Sequence, residues 1–221
     1  MGKRLAYLHT VAGLTATFKA LSDELLPGID LFHIVDESLL QNTIRANELT
    51  PQTMRRLLRL LISAEEAGAD VVMVTCSSVG PAVEASRPFV SIPVLRVDEP
   101  MAELAVQSAA TIGVAATLPT TLKPTADLIS NVAARQGKSI QVVSKLCEGA
   151  FQAVVSGDPA RHDRLVSAGL QELAPQVEVI VLAQASMARV VENLPAETRR
   201  VPILSSPRLA VERLTQLIPA L

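Results

Sequence analysis

Aromatic residues are almost absent from this 221-residue chain, which has no tryptophan, one tyrosine and four phenylalanines. Single-stranded nucleic acids are bound largely by stacking on aromatic rings, so this composition argues against such a platform. Long basic runs are also missing, and the formal net charge is −2. We therefore expect no nucleic-acid partner, and a core built from alanine, valine, leucine and isoleucine.

Membrane, disulfide and metal signals are weak as well. No apolar stretch approaches the roughly 20 residues of a membrane span, and the N-terminal residues lead into a short strand without a signal-peptide region. The cysteines, Cys76 and Cys147, are too few for a disulfide framework, and the histidines are too far apart for metal-ligand spacing. Glycine-rich phosphate-binding motifs are missing. We expect a cytoplasmic protein with no membrane partner, no metal and no cofactor.

Short apolar runs alternate with segments of helical periodicity, which predicts an α/β fold with parallel sheets. We predict strands at Arg4–Leu8, Asp30–Ile34, Val71–Val74, Val94–Leu95, Thr111–Val114, Ile140–Val143, Val179–Leu182 and Ile203–Leu204. We predict helices at Leu14–Leu26, Pro51–Gly68, Pro100–Ser108, Lys123–Gln136, Glu148–Val155, Asp158–Leu173 and Pro207–Leu217. Two helix starts are marked by a capping residue followed by proline, at Thr50-Pro51 and Asp158-Pro159.

The chain contains an internal repeat. Residues 69–79 match residues 177–187 without a gap, and each copy has an acidic residue, an apolar strand and a short polar turn. Cys76 in the first copy aligns with Gln184 in the second. A duplicated α/β unit that carries a reactive side chain in only one copy predicts an active site between two halves.

The repeat extends to further segments and predicts two lobes. Residues 4–10 resemble 111–117, and residues 92–95 resemble 201–204. We expect two pseudo-symmetric lobes, each a small parallel sheet flanked by helices, with the active site between them. The first lobe is predicted to comprise residues 1–97 and 206–221, and the second residues 98–205.

Ligands of open parallel sheets bind beyond the carboxyl ends of the strands, so the residues directly after each strand are candidates for a site. Small hydroxyl and amide groups there, beside helix N-termini, suit a carboxylate or another small oxyanion. The alternative is that the threonines are ordinary helix caps. The candidate substrate-binding residues are Thr10, Thr75, Ser77, Ser78, Thr117, Thr120, Thr121, Ala185 and Ser186.

Cys76 has two interpretations. It is either a small apolar residue at the end of a buried strand or a reactive thiol whose pKa is lowered at a helix N-terminus, and its polar neighbours favour the second. His9 is either an acid or base facing the same site or a hydrogen-bonded structural residue. Cys147 is expected to be structural, and His33 and His162 are not expected to be catalytic.

These motifs resemble those of the aspartate/glutamate/hydantoin racemase superfamily, which includes maleate isomerase and arylmalonate decarboxylase. Residues 72–78 (Val-Met-Val-Thr-Cys-Ser-Ser) resemble the first cysteine motif. Residues 112–117 with Thr120 are similar to the threonine-rich turn that helps to hold a substrate carboxylate, and residues 181–188 resemble the second cysteine motif. The likeness covers essentially the whole chain. It implies two α/β lobes with a reactive residue at equivalent strand ends and the substrate between them.

The sequence departs from the family pattern at Gln184, which stands where the second cysteine would be. Two-base racemisation needs a thiolate on one face of the carbon acid and a thiol on the other. An amide does not titrate in the useful range, but it donates hydrogen bonds to a carboxylate or a developing enediolate. Ordinary two-thiol racemisation is therefore not expected, and Cys76, Gln184 and His9 are the candidate catalytic residues.

The resemblance implies a cofactor-independent isomerase or racemase-like enzyme that acts on a small carboxylate or carbonyl substrate through a carbanion or enediolate. One alternative is a one-cysteine lyase or decarboxylase in which Cys76 protonates an enediolate. A second alternative is a non-catalytic protein that binds a small ligand. A homo-oligomer, such as a dimer, is expected, and Arg45, Arg87 and Arg96 are expected to be solvated surface residues.

Overall fold

The structure, a computed structural model, describes residues 2–220 apart from the side chain of Glu192. The chain divides into two compact units, Met1–Glu99 with Pro207–Leu221 and Pro100–Ser206. Each unit contains a four-stranded sheet in which all strand pairs are parallel. The predicted α/β class with two similar lobes is confirmed. Within the described residues, no helix is long and apolar enough to cross a membrane.

The first unit builds its sheet in the order β2-β1-β3-β4. Strands β1 and β3 pair from Leu5 opposite Val71 to Leu8 opposite Val74. The elements are β1 (Arg4–His9), α1 (Leu14–Leu25), β2 (Asp30–Val35), α2 (Glu37–Ala46), α3 (Pro51–Glu66), β3 (Val71–Val74), α4 (Gly80–Ser86), β4 (Val94–Arg96) and, after the second unit, α9 (Ser206–Leu217).

The second unit repeats this arrangement with the order β6-β5-β7-β8. Strands β5 and β7 pair from Ile112 opposite Val179 to Ala115 opposite Leu182. Helix α5 (Glu99–Ser108) begins at the boundary between the units. The remaining elements are β5 (Thr111–Ala116), α6 (Pro119–Arg135), β6 (Gln141–Leu146), α7 (Ala150–Val155), α8 (Pro159–Leu173), β7 (Val179–Leu182) and β8 (Ile203–Ser205).

Local sequence signals explain where several elements begin. The side chain of Thr50 accepts a hydrogen bond from the Thr53 backbone N–H at 3.2 Å, and that of Asp158 accepts one from Arg161 at 2.9 Å. Both predicted caps are thus confirmed, with a proline in the first turn of each helix. All four residues of β3 are buried and apolar, as expected for an inner parallel strand.

Asp70 and Glu178, at matching positions of the repeat, both accept backbone hydrogen bonds at the start of their sheets. Asp70 accepts a hydrogen bond from the backbone N–H of Arg4 at 2.7 Å. Glu178 accepts bonds from Ala110 and Thr111 at 2.8 and 2.7 Å. In each case these backbone donors hold the carboxyl pKa below its ordinary value. The repeated acid therefore ties the start of the third strand to the start of the first.

The sequence did not predict α2 and α4, and it placed the start of α6 four residues too late. Helix α2 buries Leu39 and Thr43, and Asp36 at its N-cap accepts a hydrogen bond from the Ser38 N–H. Helix α4 is only seven residues long and begins with Gly-Pro. In α6, Pro119 rather than Pro124 lies in the first turn, and Pro124 is accommodated inside the helix. This earlier start places two candidate threonines in the first turn of α6.

Gly113 in β5 is a position where a side chain does not fit. A Cβ atom there would lie 2.9 Å from Leu173 Cδ2 and 3.1 Å from Val177 Cγ2. We expect Gly113→Ala to lower the free energy of unfolding by about 1–3 kcal/mol through overpacking, measured by urea denaturation. Gly2→Ala, with no atom within 4 Å of the added Cβ, is the matched control and should change it by less than about 0.5 kcal/mol. Equal stability of the two variants would contradict this account of the core.

Candidate active site

In the first unit, Cys76 lies just beyond β3 and precedes a 3₁₀ turn at Ser77–Val79. Its side chain is half-buried. The hydroxyl of Thr10 and the backbone N–H groups of Ser78 and Val79 are hydrogen-bonded to the sulfur. Thr10 directly follows β1, the strand that pairs with β3. Adjacent strand ends therefore bring Thr10 and Cys76 together.

Burial raises the pKa of the Cys76 thiol above its ordinary value. The hydrogen bonds from Thr10, Val79 and Ser78 act in the opposite direction, and the charge of Asp98 adds to the increase. The prediction that a helix N-terminus lowers this pKa was wrong, because the desolvation of the sulfur outweighs the donors of a single 3₁₀ turn.

The second unit has an amide at the matching position. Gln184 follows β7, and its Oε1 accepts a hydrogen bond from the backbone N–H of Thr117 at 2.6 Å. Its Nε2 donates to Thr117 Oγ1 at 2.7 Å. Thr117 directly follows β5, just as Thr10 follows β1. Both units therefore join a threonine after the first strand to the polar residue after the third.

The first turn of α6 lies next to Thr117 in the chain and contains Thr120 and Thr121, which are both buried. Leu118 occupies the N-cap position and provides no side-chain cap. Among the described residues, Thr120 Oγ1 has no hydrogen-bond partner although it is buried. A buried hydroxyl without a partner at the uncapped N-terminus of a long helix is suited to binding an anion.

Comparison with known proteins identifies the family. A family model described as Asp/Glu/Hydantoin racemase matches residues 9–214. The chain belongs to this racemase family. No sequence match to a curated protein was found.

Solved racemase structures share the fold of this family member at low sequence identity. Glutamate racemase from Francisella tularensis, solved in complex with D-glutamate, aligns with a TM-score of 0.76 and 16% identity over 99% of this chain and 81% of that chain. Picrophilus torridus aspartate racemase aligns with a TM-score of 0.74 and 13% identity over 99% and 95% of the two chains. Allantoin racemase from Klebsiella pneumoniae aligns with a TM-score of 0.68 and 17% identity over 99% of this chain and 88% of that chain.

The other candidate residues divide between the two units. Ser77 and Ser78 are buried beside Cys76, in the turn that follows β3. Ala185 is half-buried and Ser186 is exposed after Gln184. Within the first unit, the structure brings Thr10, Cys76, Ser77 and Ser78 together. Within the second, it brings Thr117 and Gln184 together.

His9 is hydrogen-bonded away from Cys76. Its Nδ1 pairs with Thr75 Oγ1 at 2.8 Å, and its Nε2 pairs with Nδ1 of His33 at 2.8 Å. The His9 ring also packs against Tyr7 and Phe18, which belong to the core between the sheet and helices α1 and α9. Cys76 packs against the core on the other face of the sheet, under α2 and α3. This geometry favours the interpretation of His9 as a hydrogen-bonded structural residue.

The environment of His9 predicts loss of stability in acid. Burial, followed by the charge of His33, lowers the pKa of His9 to about 4 from an ordinary value of 6.5; burial followed by the charge of Lys19 also lowers the pKa of His33. The unfolded chain therefore binds more protons than the folded chain between these pH values. The stability contribution is fully present above pH 6.5 and is lost as the pH falls through about 4.

Urea denaturation at pH 7.5, 5.5 and 4.0 tests this prediction. We expect the free energy of unfolding of the wild-type protein to fall by about 2–3 kcal/mol from pH 7.5 to pH 4.0 because of His9, after allowance for screening. His9→Asn should show a flatter pH dependence, because the group that titrates is gone. Parallel pH profiles for the two proteins would contradict this role of His9.

Arg96 is buried, with 3% of its surface exposed, so the expectation of a solvated surface residue was wrong. It forms a bidentate ion pair with Asp98, which is fully buried, and also pairs with Glu84. Arg87 pairs with Glu99 at 2.7 Å, and Arg45 is exposed.

Cys147 has the environment of a structural residue. It is 3% exposed, and burial raises its thiol pKa to about 11. Its sulfur lies against Gly169, where an added Cβ would come within 2.6 Å of it. Among residues 2–220, no three histidine, cysteine or acidic side chains are placed to hold a metal ion.

Proposed function

We propose that this racemase-family member carries out cysteine-dependent carbanion or enediolate chemistry on a small carboxylate or carbonyl substrate, with Cys76 as its proton-transferring thiol. One observation carries this proposal: matching strand ends hold Thr10 with Cys76 in one unit and Thr117 with Gln184 in the other. Membership of the family supports a racemase-type enzyme. The replacement of a thiol by an amide at the second position favours proton transfer by one cysteine.

In this proposal, the Cys76 thiol donates its proton to the carbon of an enediolate, and the electron pair of the enediolate forms the new C–H bond. The thiolate that forms is then stabilised by the Thr10 hydroxyl and the N–H groups of Ser78 and Val79, which are already in place. Preorganised donors of this kind stabilise charge as it develops. In an isomerase or racemase-like reaction the enediolate forms first, when the ionised form of Cys76 takes the proton from the carbon and leaves the electron pair on the substrate.

Gln184 and Thr120 are assigned to substrate binding and charge stabilisation. Gln184 Nε2 donates one of its hydrogens to Thr117 and has a second for a carboxylate or enediolate oxygen. The two bonds with Thr117 fix the orientation of the amide. The buried hydroxyl of Thr120, at the start of α6, supplies a further donor for a carboxylate.

A one-cysteine lyase is the second candidate, and the Gln184 amide at the position that matches Cys76 favours it. Loss of carbon dioxide from a substituted malonate breaks a carbon–carbon bond and leaves the electron pair in an enediolate. The thiol proton then moves to the carbon, and the thiolate takes a proton from solvent. No second acid is needed on the opposite face, which agrees with an amide at position 184.

The test is proton NMR in D₂O on a panel of amino acids, hydantoins, maleate and substituted malonates. The proposal predicts that the wild-type protein introduces deuterium at the carbon beside the carboxylate of at least one of these acids. Deuterium without loss of carbon supports an isomerase or racemase, and release of carbon dioxide supports the lyase. Binding measured by calorimetry without any exchange or product would contradict the proposal and indicate a ligand-binding protein. A homo-oligomeric state and a cytoplasmic location remain predictions.

A further inference from the structure

Helices α2 and α3 of the first unit enclose a groove outside the candidate active site. The groove has a volume of about 360 Å³, which lies at the lower end of the range of about 300–1,000 Å³ for small-molecule sites. Its lining comes from the C-terminal half of α2 and the start of α3, so it does not include the residues that directly follow the strands. The polar lining residues are Asn42, Arg45, Thr50, Gln52, Thr53 and Arg56.

All six polar side chains of this groove carry hydrogen-bond donors, and none of the six is a carboxylate. Arg45 and Arg56 supply two guanidinium groups, and Asn42 and Gln52 supply amide N–H groups. The groove therefore has two positive charges in its lining, whereas the whole chain has a formal net charge of −2. Guanidinium groups bind phosphate through paired, charge-assisted hydrogen bonds, so this lining is suited to a phosphate group.

Both guanidinium groups have donors that the protein does not use. Within residues 2–220, Arg45 forms no ion pair and no hydrogen bond. Arg56 donates from Nε to Asp36 Oδ2 at 2.7 Å, which leaves its Nη1 and Nη2 donors for a ligand. The other oxygen of Asp36 accepts hydrogen bonds from the N–H and hydroxyl of Ser38 at 3.1 and 2.6 Å. Asp36 therefore holds Arg56 in place at the groove, while its own negative charge is compensated.

We propose that the groove between α2 and α3 binds the phosphate group of a small molecule, and that Arg45 and Arg56 pair with its oxygens. The amides of Asn42 and Gln52 supply neutral donors beside the two charges. The ligand differs from the substrate of the strand-end site, because the groove is formed by α2 and α3 alone. The proposal therefore stands independently of the reaction assigned to Cys76.

The test is isothermal titration calorimetry of the full chain with sodium phosphate, at an ionic strength held constant with sodium chloride. We expect the wild-type protein to bind phosphate, and Arg45→Gln and Arg56→Gln each to raise the dissociation constant by about tenfold or more, because each variant loses charge-assisted hydrogen bonds. Glycerol phosphate separates the two sources of the group. The volume of the groove predicts that this ester binds at least as tightly as inorganic phosphate, and much weaker binding would assign the groove to the free ion.

Arg55→Gln is the matched control, because Arg55 is exposed on the same helix but does not line the groove. Its loss should raise the dissociation constant by less than about threefold, the size of an exposed charge interaction. Thr120→Val removes a buried hydroxyl of the candidate active site and should leave phosphate binding unchanged.

Arg45→Gln decides the test if Arg56→Gln is unstable, because Arg45 has no partner within the described residues to lose. Three results would each overturn the inference. The first is that the wild-type protein does not bind phosphate. The second is equal weakening in the Arg45 and Arg55 variants, which would indicate a diffuse effect of charge. The third is weakening by Thr120→Val without weakening by Arg45→Gln, which would place the ion in the candidate active site.

Discussion

Cys76→Ala is expected to lower the rate of deuterium incorporation into the substrate by about 10²–10⁴-fold, which is the usual contribution of a positioned proton-transferring group. The reason is that the matching position in the second unit holds an amide, which neither gives nor takes a proton in the useful pH range. The other cysteine, Cys147, does not replace Cys76, because it is buried and its sulfur packs against Gly169. The measurement is the exchange rate in D₂O for wild type and variant at equal protein concentration.

Two further variants separate chemistry from damage to the fold. Cys147→Ala removes the other cysteine and should keep the exchange rate within about threefold of wild type, because its expected role is packing. Cys76→Ser keeps the size and hydrogen bonds of the side chain but has a far weaker acid, so it should be nearly as inactive as Cys76→Ala. Exchange by Cys76→Ala close to the wild-type rate would contradict the role assigned to the thiol.

Arg96→Leu is expected to lower the free energy of unfolding by about 3–5 kcal/mol, because it leaves the fully buried Asp98 carboxylate without its partner. The loss comes from the desolvated charge left behind rather than from the ion pair itself. Combining Arg96→Met with Asp98→Leu should recover much of the stability, since neither ion then remains in the interior. Urea denaturation monitored by circular dichroism measures both changes.

The matched control is Arg208→Leu. Arg208 pairs with Glu24 at 2.7 Å, and both side chains are about half exposed, at 50% and 55%. Exposed ion pairs contribute little to stability, so this variant should remain near wild-type stability. Equal losses of stability in the Arg208 and Arg96 variants would contradict the claim that burial of the Arg96–Asp98 pair makes it important for stability.

The parts of the fold that depend on local signals were predictable from the sequence. The eight strands are short apolar runs, and the caps at Thr50 and Asp158 depend only on residues within one helical turn. The equivalence of Cys76 and Gln184 follows from a gap-free repeat, and the matching strand registers confirm it. Helix α2 was missed although a local signal for it was present, because Asp36 before it is a capping residue of the same kind.

Site features that depend on contacts between distant segments were not predictable in the same way. The contact of His9 with His33 follows from the pairing of β1 with β2. The contact of Arg96 with Gly80 depends on the packing of β4 under the Cys76 turn. The sign of the Cys76 pKa change was also wrong, because the sequence shows the hydrogen-bond donors but not the extent of burial. The predicted location of the active site between the lobes remains a prediction.

The central claim is that one thiol transfers the proton, and the stereochemistry of the product made in D₂O tests it most directly. A prochiral substrate, such as an unsymmetrically substituted malonate or another acid that the panel identifies, is converted by the wild-type protein and the product is resolved on a chiral column. The account predicts one enantiomer with one deuterium at the reacting carbon, and no product from Cys76→Ala. Equal amounts of both deuterated enantiomers from the earliest time points, or the same product from Cys76→Ala, would contradict it.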